Sequence, residues 1–256
     1  MRKEALIPIL FFLSILVIWQ VSVSTLEVKK YLLPGPLDIA EKISDKHNIL
    51  IKHTLVTLSE ASAGFAIGAI FALAIALVIT NFRIAGLMLF PIIILVHTTP
   101  KIAIAPFLTI WFGFGLAPKI AVAAIVVFFP IVINAVRGLS SIDIEMLDLM
   151  KSYGANKIEM LLKVGFPSAL PFILTSFRIA AAGSIIGAVV GEFTGADSGL
   201  GYLILLANTN FDTSLMFASL ALLASMGMGF FYLAVWVEKR VLYWQKGRSI
   251  IYLNNN

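Results

Sequence analysis

Apolar runs of about twenty residues, the length that crosses the hydrocarbon core of a bilayer as a helix, limit what this chain can fold into. They occupy roughly Leu6 to Val23, Ala61 to Thr80, Ile84 to Phe112, Ile120 to Val136, Ala169 to Val190 and Leu215 to Val237. Backbone polar groups in lipid need internal partners, so a spanning chain is either a helix bundle or a closed barrel. Barrel strands alternate apolar and polar positions over about ten residues, and these runs do not alternate. The sequence therefore predicts an all-α polytopic membrane protein of about six transmembrane helices. Charged residues make up 13% of the chain, against about 25% in a soluble domain, so a soluble core could not hide the apolar surface.

The remaining segments are read around those spans, as one transmembrane domain over 1–256. Residues 1–32 hold the first span and an outer loop. The run after Arg2 and Lys3 is longer than the h-region of a secretory signal, which favours a retained span, although Ser22-Val23-Ser24 resembles a cleavage site. Residues 33–60, broken by Pro34-Gly35-Pro36 and mixing Leu37, Ile39 and Ile43 with charge, read as an interfacial amphipathic segment. The core of five spans covers 61–240, and 241–256 reads as a cytoplasmic tail ending in a frayed Asn254–Asn256. The third run is about 45 Å long as a helix and carries Pro91, Pro100 and Pro106, so a kink or break inside the membrane is expected.

Basic residues separate into two sets. Arg2, Lys3, Arg83, Arg137, Lys151, Lys157, Lys163, Lys239, Arg240, Lys246 and Arg248 fall at the termini and alternate loops; Lys29, Lys30, Lys42, Lys46, Lys52 and Lys119 fall opposite. The positive-inside tendency places both termini in the cytoplasm of a cell membrane. A net charge of +5 distributed this way marks topology and gives no stripe for nucleic acid. With no cysteine, and with His47, His53 and His97 scattered, no disulfide or metal site is indicated. No Gly-x4-Gly-Lys-Ser/Thr phosphate loop occurs, so the chain does not hold ATP in the P-loop manner.

One cytoplasmic segment, Ser141 to Pro171, is too patterned for a plain connector. Ile142, Met146, Leu149, Met150 and Tyr153 repeat at helical spacing, Gly154 can end that helix, and Ile158, Leu161 and Leu162 restart the pattern. Two short amphipathic helices about a glycine turn are expected. Within it, Asp148-Leu149-Met150-x3-Gly154-x9-Val164-x-Phe166-Pro167 resembles the EAA loop of ATP-binding-cassette (ABC) import permeases, EAA-x3-G-x9-I-x-LP. The runs Thr99-Pro100-Lys101 to Pro106 with Trp111-Phe112-Gly113, Arg178 to Gly191, and Ser198-Gly199-Leu200-Gly201-Tyr202 are similar to the nitrate/sulfonate/bicarbonate (taurine-type) branch. The likeness covers about Leu33 to Tyr232. Asp148, Leu149 and Met150 depart from the Glu-Ala-Ala of the motif, while the spacing, the glycine and the proline remain.

That resemblance implies a type I importer permease fold in which the loop is a lever and not an active site. Asp148, Met150, Lys151, Ser152, Tyr153, Gly154, Ala155, Asn156 and Pro167 would meet a separate ATPase subunit, which carries the ATP and magnesium; no cofactor belongs to this chain. Two ATPase subunits, a second permease subunit, expected to be an identical copy, and an extracytoplasmic solute-binding protein are the implied partners. The implied cargo is a small solute, with sulfonate, nitrate, bicarbonate and vitamin precursors all open. An ion-coupled secondary transporter is the rival, and it would show buried acidic residues and repeated halves, neither of which is visible in the sequence.

Candidates for the translocation pathway are His97, Thr98, Thr99 and Lys101 in the broken span, and Gly183, Gly187, Gly191 and Glu192 in the fifth. Lys101 would cost about 2.5–3.5 kcal/mol as an isolated charge at the bilayer centre, so it either faces a pore or caps a broken helix. The three glycines, four apart, make a helix face without side chains that suits close helix packing or a pore wall. Glu192 reads as a carboxylate near a span end, solvated or acting at a gate or in docking the binding protein. Arg178 reads as an anchor near the cytoplasmic end of its span, to headgroups or at the ATPase interface.

Overall fold

The structure, a computed structural model, describes residues 2–245; Met1, Lys246, Arg248 and the rest of 246–256 lie outside the described residues. The helices are α1 (Arg2–Thr25), α2 (Pro36–Asp45), α3 (His47–Asn81), α4 (Arg83–Thr98), α5 (Lys101–Phe112), α6 (Leu116–Leu139), α7 (Ile144–Ser152), α8 (Lys157–Met160), α9 (Phe166–Glu192), α10 (Leu200–Thr209) and α11 (Thr213–Val241). A π-helical turn, Leu161–Gly165, joins α8 to α9. Among the described residues, five helices are long and apolar enough to span a membrane: α1, α3, α6, the continuous Lys157–Glu192 helix and α11. A sixth span is the pair α4 and α5, bent by 101° at Thr99-Pro100. Pro100 explains the bend, since it offers no N–H to the helix and drives Thr99 into an extended conformation (φ −70°, ψ 133°).

α3, α6 and α9 form the centre of the bundle. In lipid there is little hydrophobic drive between helices, so association depends on how closely backbones approach. Small residues supply that approach: Ala61, Ala69, Ala72 and Ala76 on α3, Ala123 and Ala135 on α6, and Ala180, Ala181 and Ala188 on α9 are buried. Gly187 is packed so tightly that a Cβ there would stand 2.6 Å from the Ala123 Cα. Because the obstacle is backbone, Gly187→Leu is expected to cost about 3 kcal/mol of stability through overpacking, read as a lower melting temperature of the purified protein.

Three expectations change. The segment 33–60 is not one interfacial element: α2 accounts for Pro36–Asp45, while α3 starts at His47 and carries the rest into the second span. Glu60, which ends that polar stretch in the sequence, is fully buried because Lys119 meets it from α6. For the same reason Lys119 is not an outer-loop charge; it is 2% exposed. Arg178 lies mid-helix and pairs with Glu238 of α11, so it ties two helices together and does not anchor to headgroups.

Candidate functional site

The loop between α6 and α9 is built as a rigid elbow. Asp143 caps α7 by accepting from the Glu145 backbone N–H at 3.1 Å. At the other end the Gly154 N–H donates to the Lys151 carbonyl (2.9 Å) and the Ala155 N–H to the Met150 carbonyl (3.0 Å), the paired bonds of a Schellman turn. Gly154 sits at φ +75°, in the left-handed region where a Cβ costs about 1–2 kcal/mol. Asn156 then caps α8 reciprocally with Glu159, through two bonds of 2.9 Å. Every turn of the elbow thus closes on its own hydrogen bonds, and its apolar side chains take no part in them.

Those side chains point outward. Tyr153 is 82% exposed, and Ile144, Met146, Leu149 and Ile158 are exposed beside it. Nothing lies within 4 Å of the space above Gly154. Asp148 and Lys151 pair at 2.9 Å on the open surface, a contact of little energetic weight. Ser152 bonds to the Leu149 carbonyl, Met150 and Ala155 are half-buried, and Pro167 is exposed in the first turn of α9. The loop residues named from the sequence are thus exposed, apart from the half-buried Met150 and Ala155, and open apolar side chains stand among them.

At the opposite end of α6 and α9 the structure gathers buried charge. Lys119 Nζ donates to Glu60 Oε1 at 2.9 Å and reaches the Ser198 carbonyl at 3.4 Å. The Thr57 hydroxyl donates to Glu192 Oε1 (2.6 Å) and accepts from the Leu200 N–H (2.8 Å). Glu192 Oε2 accepts from the Gly201 N–H, and the Gly199 N–H donates to His53 Nδ1 at 2.9 Å. The first backbone amides of α10 are thus capped by side chains of α3 and α9, at the helix end that favours negative charge. Gly199 (φ +112°) leaves the space that the Glu192 carboxylate fills. Glu192 is buried and not solvated.

Residues 64–243 match the family model described as the binding-protein-dependent transport system inner membrane component. The chain belongs to this family. It is a permease subunit of an ABC importer, and full-length relatives agree. A probable ABC transporter permease protein of Haemophilus influenzae is 35% identical over 95% of this chain and 99% of its own length. The formylaminopyrimidine transport permease protein ThiX of Halalkalibacterium halodurans is 34% identical (95% and 97%), and the riboflavin transport system permease protein RibX of Chloroflexus aurantiacus 36% (90% and 87%). Among solved structures, the inward-facing MetNI methionine ABC transporter superposes with a TM-score of 0.64 at 18% identity, covering 78% of this chain and 97% of that one. That likeness is one of fold.

The permease keeps its sequence-named pathway residues in two separate places. His97, Thr98 and Thr99 lie exposed at the α4–α5 break. Both threonine hydroxyls bond back to the Leu95 carbonyl. The Lys101 ammonium donates to the His97 carbonyl and lies 5.5 Å from the Phe129 ring centroid. Lys101 therefore caps the freed end of α4, where a cation suits the helix dipole. Gly183, Gly187 and Gly191 all face α6, against Val126, Ala123 and Lys119. Beside the break, a cavity of about 430 Å³ is lined by apolar groups including Phe71, Val96, Leu108 and Trp111. Sequence reasoning missed His53, Thr57 and Glu60, and with them the absence of buried acids is overturned. Their i, i+4, i+7 spacing on α3 was the available signal.

Proposed function

We propose that this permease, with a second copy of itself, forms the pathway for a small heteroaromatic vitamin precursor delivered by an extracytoplasmic binding protein. Two ATPase subunits that bind ATP and magnesium drive it through the elbow at residues 141–171. The observation that carries this reading is the elbow itself: self-capped at Gly154, apolar, and open to a partner around Tyr153. A lever must be stiff internally and unoccupied externally, and this one is both. When the ATPases close on ATP, the elbow would carry α9 with it, because the Lys157–Glu192 helix runs from the elbow to the buried charge cluster without a break. The permeases for formylaminopyrimidine and riboflavin, at 34% and 36% identity, support the cargo class over the sulfonate permease of Bacillus subtilis at 29%.

The experiment begins with topology, since a lever must face the cytosol. The chain has no cysteine, so Tyr153→Cys gives a single thiol on a clean background. It is expected to react with an impermeant maleimide only when the cytoplasmic face is accessible, in inverted vesicles and not in intact cells. Labelling from outside would overturn both the orientation and the ATPase contact. Uptake in proteoliposomes holding the ATPase, with the binding protein outside, then tests the cargo: labelled riboflavin and formylaminopyrimidine against an aliphatic sulfonate.

A further inference from the structure

The buried cluster contains two carboxyls, Glu60 and Glu192, and one ammonium, Lys119, each no more than 2% exposed. Both carboxyls sit in one buried cluster: Thr57, on α3 like Glu60, donates to Glu192 Oε1, and Lys119, which donates to Glu60, packs its backbone against Gly191 beside Glu192. Carboxylates that share a dry site cannot both hold a full charge, and such a pair shares a proton. Hydrogen-bond geometry tells which oxygen carries it. Glu192 is supplied with donors on both oxygens, the Thr57 hydroxyl on Oε1 and the Gly201 N–H on Oε2, at the electropositive start of α10. Glu60 has Lys119 on Oε1, while its Oε2 is buried with no partner among the described residues. An ionised Glu60 would leave that oxygen unsatisfied, which buried acceptors rarely tolerate.

We infer that Glu60 is the neutral acid of the pair, its Oε2–H donated to Glu192, and that this proton makes Glu60 the positioning residue for α10. One positive Lys119 then balances one negative Glu192, and each polar atom of the triad has a partner. The proton links α3 to α9 just where Glu192 grips the start of α10, so Glu60 acts on α10 through Glu192. This inference concerns the protonation and role of one side chain and does not depend on the cargo proposed above.

Glutamine is the neutral isostere of a protonated glutamate, with an N–H where the acid has its O–H. In the reconstituted complex, Glu60→Gln is therefore expected to keep uptake within about twofold of the parent. Glu60→Met, which removes the donor to Glu192 and the acceptor for Lys119, is expected to lose about tenfold or more. Infrared spectroscopy supplies a readout that folding alone would not move. The parent is expected to show a deuterium-sensitive carbonyl band of a protonated carboxylic acid, which Glu60→Gln lacks. A Glu60→Gln protein as impaired as Glu60→Met, or an unchanged carboxylic acid region in its spectrum, overturns the inference. Should Glu60→Met fail to fold, the spectral comparison of parent and Glu60→Gln still decides it.

Discussion

Gly154→Arg is expected to reduce ATP-driven uptake by about a hundredfold or more while the permease still reaches the membrane, because two costs add at one position. The first is conformational: Gly154 sits at φ +75°, and any side chain there pays about 1–2 kcal/mol. The second is steric and lies outside the chain. A Cβ at Gly154 meets nothing within 4 Å, so an arginine would clash with nothing in this chain and would project into the space that the proposed function gives to the ATPase. Losing a central interface contact costs about 2 kcal/mol or more. Gly154→Ala separates the two, since it carries the strain without the bulk; it is expected to lose uptake by only about tenfold. Immunoblots of membranes, followed by uptake and binding-protein-stimulated ATPase rates, make the measurement. Gly154→Arg with parental uptake would remove the elbow from the mechanism.

The contrast between this elbow and the buried cluster explains what a sequence discloses and what it withholds. The elbow's signals are local. Its apolar spacing, the glycine, and the Asn156–Glu159 cap lie within a few residues of one another, and nothing distant alters them. The spans are legible for a similar reason, since lipid imposes length and hydropathy on each separately. The Pro100 break is legible because proline acts on its own helix. Charge inside the bundle obeys a different logic. Whether Glu60 is solvated depends on Lys119, 59 positions away, and whether Arg178 meets lipid headgroups depends on Glu238, 60 positions away. Neither partner leaves a mark near the residue it neutralises. α10 is hidden for the same reason: at ten residues it is too short to span, and its first amides are capped by residues of α3 and α9. Polar residues at helical spacing beside an apolar run, as at His53, Thr57 and Glu60, are the trace such a cluster leaves.

Lys119→Met is expected to be the most destabilising single change in the described bundle, costing about 3–5 kcal/mol, because it leaves buried carboxyls without their cation. Methionine keeps the length and the apolar stem that packs beside Gly191, so a cavity contributes little and the loss reports charge. Removing the ammonium strands Glu60 Oε1 and the Ser198 carbonyl and leaves Glu192 negative with no counter-charge in the triad. Glu192→Gln added to Lys119→Met restores neutrality, and the double variant is expected to be more stable than the sum of the single losses by about 1–3 kcal/mol, the coupling of contacting charges. The thermal melts of the four proteins in one detergent close the cycle. If Lys119→Met melts with the parent, or the two losses simply add, the triad is not a charge-balanced unit and the hold of Glu192 on α10 rests on Thr57 and the helix amides alone.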